Sequence, residues 1–197
     1  RVLEDNCESL GAVYANQRTG SFGLMASHSF FFSHHICTME GGAITTNDED
    51  FYKMLLSLRA HGWTRDTGGS GWNFILPGYN VRPMEVQAAI GLEQLEKLPE
   101  IIRVRRENAG KCSFKKQKEI GESSWYGFAV DSSLKQEFTD KGIEHRPILS
   151  GNFTRHEVIK YYDYEPVELP NADWVEKNRI LIGNHPKPME FHDYVSH

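Results

Sequence analysis

Between His28 and Gly42 the chain concentrates side chains that can exchange protons: His28, His34, His35, Cys37 and Glu40, with Ser29 and Ser33 among them. Imidazole, with an unperturbed pKa of about 6.5, can accept and return a proton near neutral pH. Unlike lysine it has no primary amine, so it cannot form a Schiff base with an aldehyde. Upstream, Asp5 and Glu8 add two carboxylates. A strand that delivers two adjacent imidazoles to a loop is one way to build a catalytic site on a rigid scaffold. Residue types alone leave two other outcomes open, a solvated histidine-rich turn and a metal module built from His28, His34, His35 and Cys37. Adjacent His34 and His35 point apart on a strand, and no outlying Cys/His pair completes a tetrahedral set.

Something must hold these residues. The apolar run Phe30–Phe32 is expected to end a buried strand spanning Leu24–Phe32, with a second β-branched run at Ala43–Thr46 beyond Gly41-Gly42. Residues 1–4 read as the end of another buried strand, which puts Asp5 at a carboxyl edge, where ligands of open α/β sheets gather. A helix cap for Cys7–Tyr14 is the other reading of Asp5. Asn47-Asp48 should open a helix that turns Phe51, Met54, Leu55 and Leu58 to the core. Ala60–Gly78 is a glycine-rich loop without the Gly-Lys-Ser/Thr of a phosphate loop. Pro83 should open an amphipathic helix and Pro99 reset it, with Ile101–Lys118 continuing as a strongly basic helix, read as a solvated face with nucleotide-phosphate binding as the other reading. Thereafter a strand (Trp125–Val130), a helix (Ser132–Lys141) and a strand (Ile143–Arg146) are expected.

Composition narrows the class. The chain has 197 residues, 39% hydrophobic and 25% charged, with a net charge of −5. That balance suits a globular core and argues against a nucleic-acid or anionic-membrane partner. There is no apolar run of transmembrane length. Cys7, Cys37 and Cys112 are too widely spaced for a disulfide framework or zinc knuckle, so a reducing, cytoplasmic setting is expected.

The segment Ser29-Phe30…His34-His35-Ile36…Glu40-Gly41-Gly42 resembles the lysine segment of the DegT/DnrJ/StrS family of vitamin B6-dependent sugar aminotransferases. That family reads roughly Ser-Phe-x-x-x-Lys-x-Ile-x-x-x-Glu-Gly-Gly, and its lysine forms the Schiff base with pyridoxal phosphate. Here His34 takes the lysine's place, which marks the sugar 3-dehydratase subgroup. Arg59-Ala60-His61-Gly62-Trp63, Leu76-Pro77-Gly78-Tyr79-Asn80-Val81-Arg82-Pro83 and Gly121-Glu122-Ser123-Ser124-Trp125 carry the resemblance along the chain.

The resemblance implies an α/β fold of the fold-type I aminotransferase kind, truncated at the N-terminus. Residues 1–102 would be the C-terminal half of the cofactor-binding large domain, and 103–197 a small C-terminal α/β domain. It implies pyridoxal or pyridoxamine phosphate as cofactor and 3-dehydration of a nucleotide-linked 4-keto-6-deoxyhexose, GDP-linked by the nearest wording, with glutamate as co-substrate. An ordinary sugar aminotransferase, which would need lysine at position 34, and a non-catalytic fragment of the fold are the alternatives.

By resemblance, His34 is the catalytic base, and Asp5 pairs with the pyridine nitrogen. Glu8 stands near the cofactor hydroxyl. Ser29 would bind the phosphate; as an isolated serine it would be a strand-face hydroxyl. Asn80 would reach the phosphate of the other subunit's cofactor in a homodimer; alone it would be a turn asparagine. Arg146 would contact substrate carboxylate or phosphate, with a surface salt bridge as its other reading. Iron–sulfur-dependent relatives carry a cysteine cluster after the Arg-x-x-Gly segment. The stretch Trp63–Trp72 has none, which argues against that chemistry.

Overall fold

The computed structural model describes residues 1–191, which divide into two compact units. The first comprises Arg1–Ile102 with Ile120–Ser124; the second comprises Arg103–Glu119 and the residues from Trp125 on.

In the first unit the strands are β1 (Leu3–Asp5), β2 (Val13–Tyr14), β3 (Gln17–Arg18), β4 (Met25–Ser29) and β5 (Gly42–Thr45). β1 lies parallel to β4 with Asp5 opposite Ser27, and β5 lies antiparallel on the other side of β4 with Gly42 opposite Ser29. A Cβ on Gly42 would stand 2.6 Å from the His28 carbonyl oxygen, so only glycine lets β5 start this close to β4. β2 and β3 form a two-residue hairpin whose turn, Ala15-Asn16, has positive φ at both positions, matching the strand twist.

The aromatic run departs from expectation. β4 stops at Ser29, and Phe32 lies 69% exposed in a turn. Ser29 Oγ accepts the Phe31 N–H at 3.3 Å, and the Phe31 carbonyl accepts the His34 N–H at 3.0 Å. Those two bonds curl the chain where the aromatic run suggested extension. The loop closes at its root, with Phe30 donating to Gly41 O (2.9 Å) and accepting from Thr38 N–H (2.8 Å). β1 is a strand as expected, but Leu3 is 67% exposed rather than buried.

Helix α1 (Glu49–Arg59) starts as read: Asp48 Oδ1 accepts the Asp50 and Phe51 N–H groups at 3.0 and 3.1 Å. Its apolar face is less buried than expected, with Met54 42% exposed and only Ser57 buried. α2 (Glu85–Lys111) is one continuous helix through Pro99. Proline removes one backbone donor, but it leaves the rest of the ladder to carry on, so two predicted helices are one. Its basic second half is not uniformly solvated: Arg105 is buried beside the Tyr126 ring, 5.7 Å from Cζ to the centroid. Burial pushes its guanidinium below its ordinary value.

The second unit continues with β6 (Gly127–Asp131), α3 (Lys135–Asp140), β7 (His145–Pro147), α4 (Pro170–Asn178) and β8 (Arg179–Gly183). The antiparallel sheet has the order β6-β8-β7. Phe128, Val130, Phe138, Ile180, Ile182 and Phe191 form its core. Two buried asparagines fasten the edge of that core. Asn108 Nδ2 donates to Asn184 Oδ1, His185 O and Lys187 O (3.1, 3.2 and 2.8 Å), and its Oδ1 accepts the Met189 N–H (3.0 Å). Asn184 Nδ2 donates to Arg105 O and Trp125 O (2.9 and 2.7 Å), holding Trp125 at φ 49. A bulky residue with positive φ is strained, and this carbonyl bond helps to hold it there.

Candidate functional site

Side-chain parity sorts the central sheet into two polar faces. Residues alternate faces along a strand, so Asp5, Ser27 and Ser29 share one face while Glu4, Asn6 and His28 share the other. The first set holds two of the residues singled out by their chemistry, Asp5 and Ser29. Asp5 ends β1, Ser29 ends β4, and both therefore lie at the carboxyl edge.

Asp5 Oδ1 accepts the Cys7 N–H at 3.2 Å and the Ser27 hydroxyl at 3.3 Å. The Cys7 sulfur lies 3.8 Å from Ser27 Oγ. Hydrogen bonding from the Cys7 side chain and backbone, then from Ser27, with the field of His34, holds the Asp5 carboxyl below its ordinary value against a small opposing effect of burial. Burial, the hydrogen bond to Asp5, and the nearby Asp5 and Glu8 charges push the Cys7 thiol up. Cys7 therefore stays a neutral thiol at physiological pH, a hydrogen-bonding group rather than a nucleophile. Among the described residues no hydrogen bond reaches Asp5 Oδ2, and the residue is exposed. Asp5 is thus an ionised carboxylate with one oxygen engaged and one open.

His34 is half-buried in the turn after β4, and its field reaches Asp5. Its neighbour His35 points elsewhere: it is 2% exposed, with Nε2 3.4 Å from the Ser124 carbonyl. Neighbours in sequence, the two histidines differ in burial, His34 half-buried and His35 almost fully enclosed. Among the described residues no group of three His, Cys, Asp or Glu could hold a metal ion.

Asp5, Cys7 and Ser27 form one bonded cluster, the charge of His34 is felt at Asp5 and that of Glu8 at Cys7, and Ser29 lies two residues along the same strand from Ser27. Ser27 and Cys7 were not anticipated. The signal for Ser27 is its position two residues before Ser29 on one strand, but its partner is fixed only by the β1–β4 register. Asn80 is exposed and paired through its backbone with Ala60, and no hydrogen bond among the described residues joins its side chain to Asp5, Ser29 or His34. Arg146 belongs to the second unit, exposed on β7 opposite Leu181. No helix of the described residues is long and apolar enough to cross a membrane.

The chain belongs to the DegT/DnrJ/EryC1/StrS aminotransferase family, whose model matches residues 1–193. It is 46% identical, over 93% of its length, to GDP-4-keto-6-deoxy-D-mannose 3-dehydratase of Escherichia coli O55:H7. Two solved structures are similar throughout. One is GDP-4-keto-6-deoxymannose-3-dehydratase with a trapped PLP–glutamate geminal diamine, with TM-score 0.89 and 43% identity, covering 98% of this chain and 58% of that one. The other is a variant of that dehydratase (ColD) with bound GDP-perosamine, with TM-score 0.88 and 45% identity, covering 97% and 57%. The fold is therefore α/β, of the pyridoxal-phosphate-dependent aminotransferase kind. The chain spans 56% of the length of the Escherichia coli relative.

Proposed function

We propose that this chain forms part of a pyridoxal/pyridoxamine phosphate-dependent 3-dehydratase acting on a nucleotide-linked 4-keto-6-deoxyhexose, with the GDP-linked mannose derivative as substrate and glutamate as amino donor. The observation that carries the proposal is a histidine at the family's lysine position, on the loop after the strand of Ser29, with its field on an ionised Asp5.

The donor set fits the cofactor. Asp5 presents an open carboxylate oxygen to a protonated ring nitrogen, Ser29 offers a hydroxyl to the phosphate, and Glu8 stands nearby. Bound there, the cofactor would supply an electron sink for negative charge developing beside the sugar's C4 carbon. Asp5, kept anionic, holds a proton on its ring partner. His34 takes a proton from the reacting carbon and returns one to the departing C3 hydroxyl, a task suited to imidazole near neutral pH. Having no primary amine, it leaves the cofactor free to carry an amino group. Arg146 supplies a two-pronged contact for carboxylate or phosphate.

Residues 1–102 serve as part of the cofactor-binding domain and 103–197 as the small domain. Asn80, exposed and unconnected to this cluster, serves the cofactor of a second copy in a two-fold homodimer. The net charge of −5 and three free cysteines suit a cytoplasmic enzyme without nucleic-acid or membrane partners.

The test is release of ammonia and a 3,6-dideoxy-4-keto product from GDP-4-keto-6-deoxymannose with PLP and glutamate present. Loss of a general base costs about 10²–10⁴-fold in rate, so His34→Asn should fall in that range. An Asn variant that keeps more than about a tenth of the rate rules out His34 as the base.

A further inference from the structure

We infer that Ser27 and Cys7 are positioning residues for Asp5, engaging its Oδ1 so that Oδ2 alone is offered to a cationic ring nitrogen. The inference rests on the cofactor reading above. It begins with register: Asp5 and Ser27 are paired residues on adjacent parallel strands, so their side chains leave the same face side by side. The Ser27 hydroxyl has one hydrogen, and it is directed to Asp5 Oδ1 at 3.3 Å. The Cys7 N–H adds a second donor to the same oxygen at 3.2 Å. The Cys7 sulfur lies 3.8 Å from Ser27 Oγ, and its thiol also hydrogen-bonds the Asp5 side chain, so the three groups form one cluster.

An aspartate on an exposed strand end otherwise turns about its terminal torsion, which is broad and two-fold, and exchanges its oxygens. Two donors on one oxygen set the plane of the group and leave the other oxygen with a single direction. Charge-assisted bonds of this kind favour the ionised form, the state a pyridinium partner requires.

The experiment follows the Asp5 carboxyl carbon through a pH titration by NMR in the 197-residue chain, assigned with Asp5→Asn, alongside PLP titrations that record affinity and the absorbance–pH profile. Ser27→Ala and Cys7→Ala should each move the Asp5 midpoint upward. Ser27→Thr and Cys7→Ser should restore it, which general unfolding would not do. PLP should bind about five-fold more weakly to each Ala variant, as expected for one lost hydrogen bond, with its pH profile shifted the same way. If Asp5 titrates identically in the double Ala variant while PLP binding still depends on Asp5, the positioning role is overturned and the cofactor reading stands. If the Asp5 midpoint moves but PLP binding is unaffected by Asp5→Asn, the cofactor reading fails and the ring-nitrogen assignment falls with it.

Discussion

The two faces of the central sheet use the same kinds of residue to opposite ends. On one face Glu4 accepts backbone N–H groups from Gly20, Phe22 and Gly23 at 2.7, 2.6 and 2.6 Å, tying the following loop to β1. Beside it Asn6 Nδ2 meets His28 Nδ1 at 3.2 Å, which leaves His28 Nε2–H to donate to Thr45 Oγ1 at 3.1 Å. Thr45 in turn donates to Gly20 O at 3.1 Å, and Ser9 donates to Asn6 Oδ1. Donors and acceptors form a closed ring. On the other face Asp5 has one carboxylate oxygen without a bond among the described residues. The carboxylate of Glu4 is thus filled by backbone donors, whereas that of Asp5 keeps one oxygen open.

The sharpest way to break this comparison is Glu4→Ala, which strips the acceptor from three backbone donors. The expected cost is about 2–3 kcal/mol in urea unfolding, with little direct effect on PLP affinity measured where the chain remains folded. Next comes Asn6→Ala, which opens the ring at Ser9 and His28 for about 1–2 kcal/mol. Asp5→Asn on the other face should change stability by no more than about 0.5 kcal/mol while abolishing PLP binding. If Asp5→Asn destabilises as much as Glu4→Ala, the two faces are not different in kind.

The smallest effect is in pH. Burial lowers the His28 pKa from its ordinary 6.5, opposed by Glu4. The unfolded chain then binds the extra proton first, so this contribution is complete above about 6.5 and erodes as pH falls toward the folded value. Glu4 is also lowered from 4.5: partial burial raises it, but the N–H groups of Gly23, Gly20 and Phe22 outweigh that, helped by His28. Its share is present above 4.5 and is lost as pH falls through the folded value. Unfolding midpoints across pH 7.5 to 3.5 should therefore decline in two stages, and His28→Gln should remove the upper one.

Much of the site could be read along the chain because its chemistry is local. Asp5 closes a strand, His34 stands five residues beyond Ser29, and Asp48 caps α1 as its type and position suggest. The misreadings have local causes too. Phe30–Phe32 has strand composition, yet the Ser29 hydroxyl and a turn bond claim its backbone. Pro99 looks like a helix break, but an established helix tolerates one missing donor. What could not be read was pairing at a distance. The register of Asp5 with Ser27 joins positions 22 residues apart, and the Asn108–Asn184 bond joins positions 76 apart. Residue type says that a serine or asparagine can bond, but not to what.

The loop that carries His34 is fastened by its own backbone, at Phe30 to Gly41 and Thr38 and at Phe31 to His34 N–H. None of those bonds uses the imidazole. The main-chain bonds that place position 34 are of a kind any residue type except proline can make.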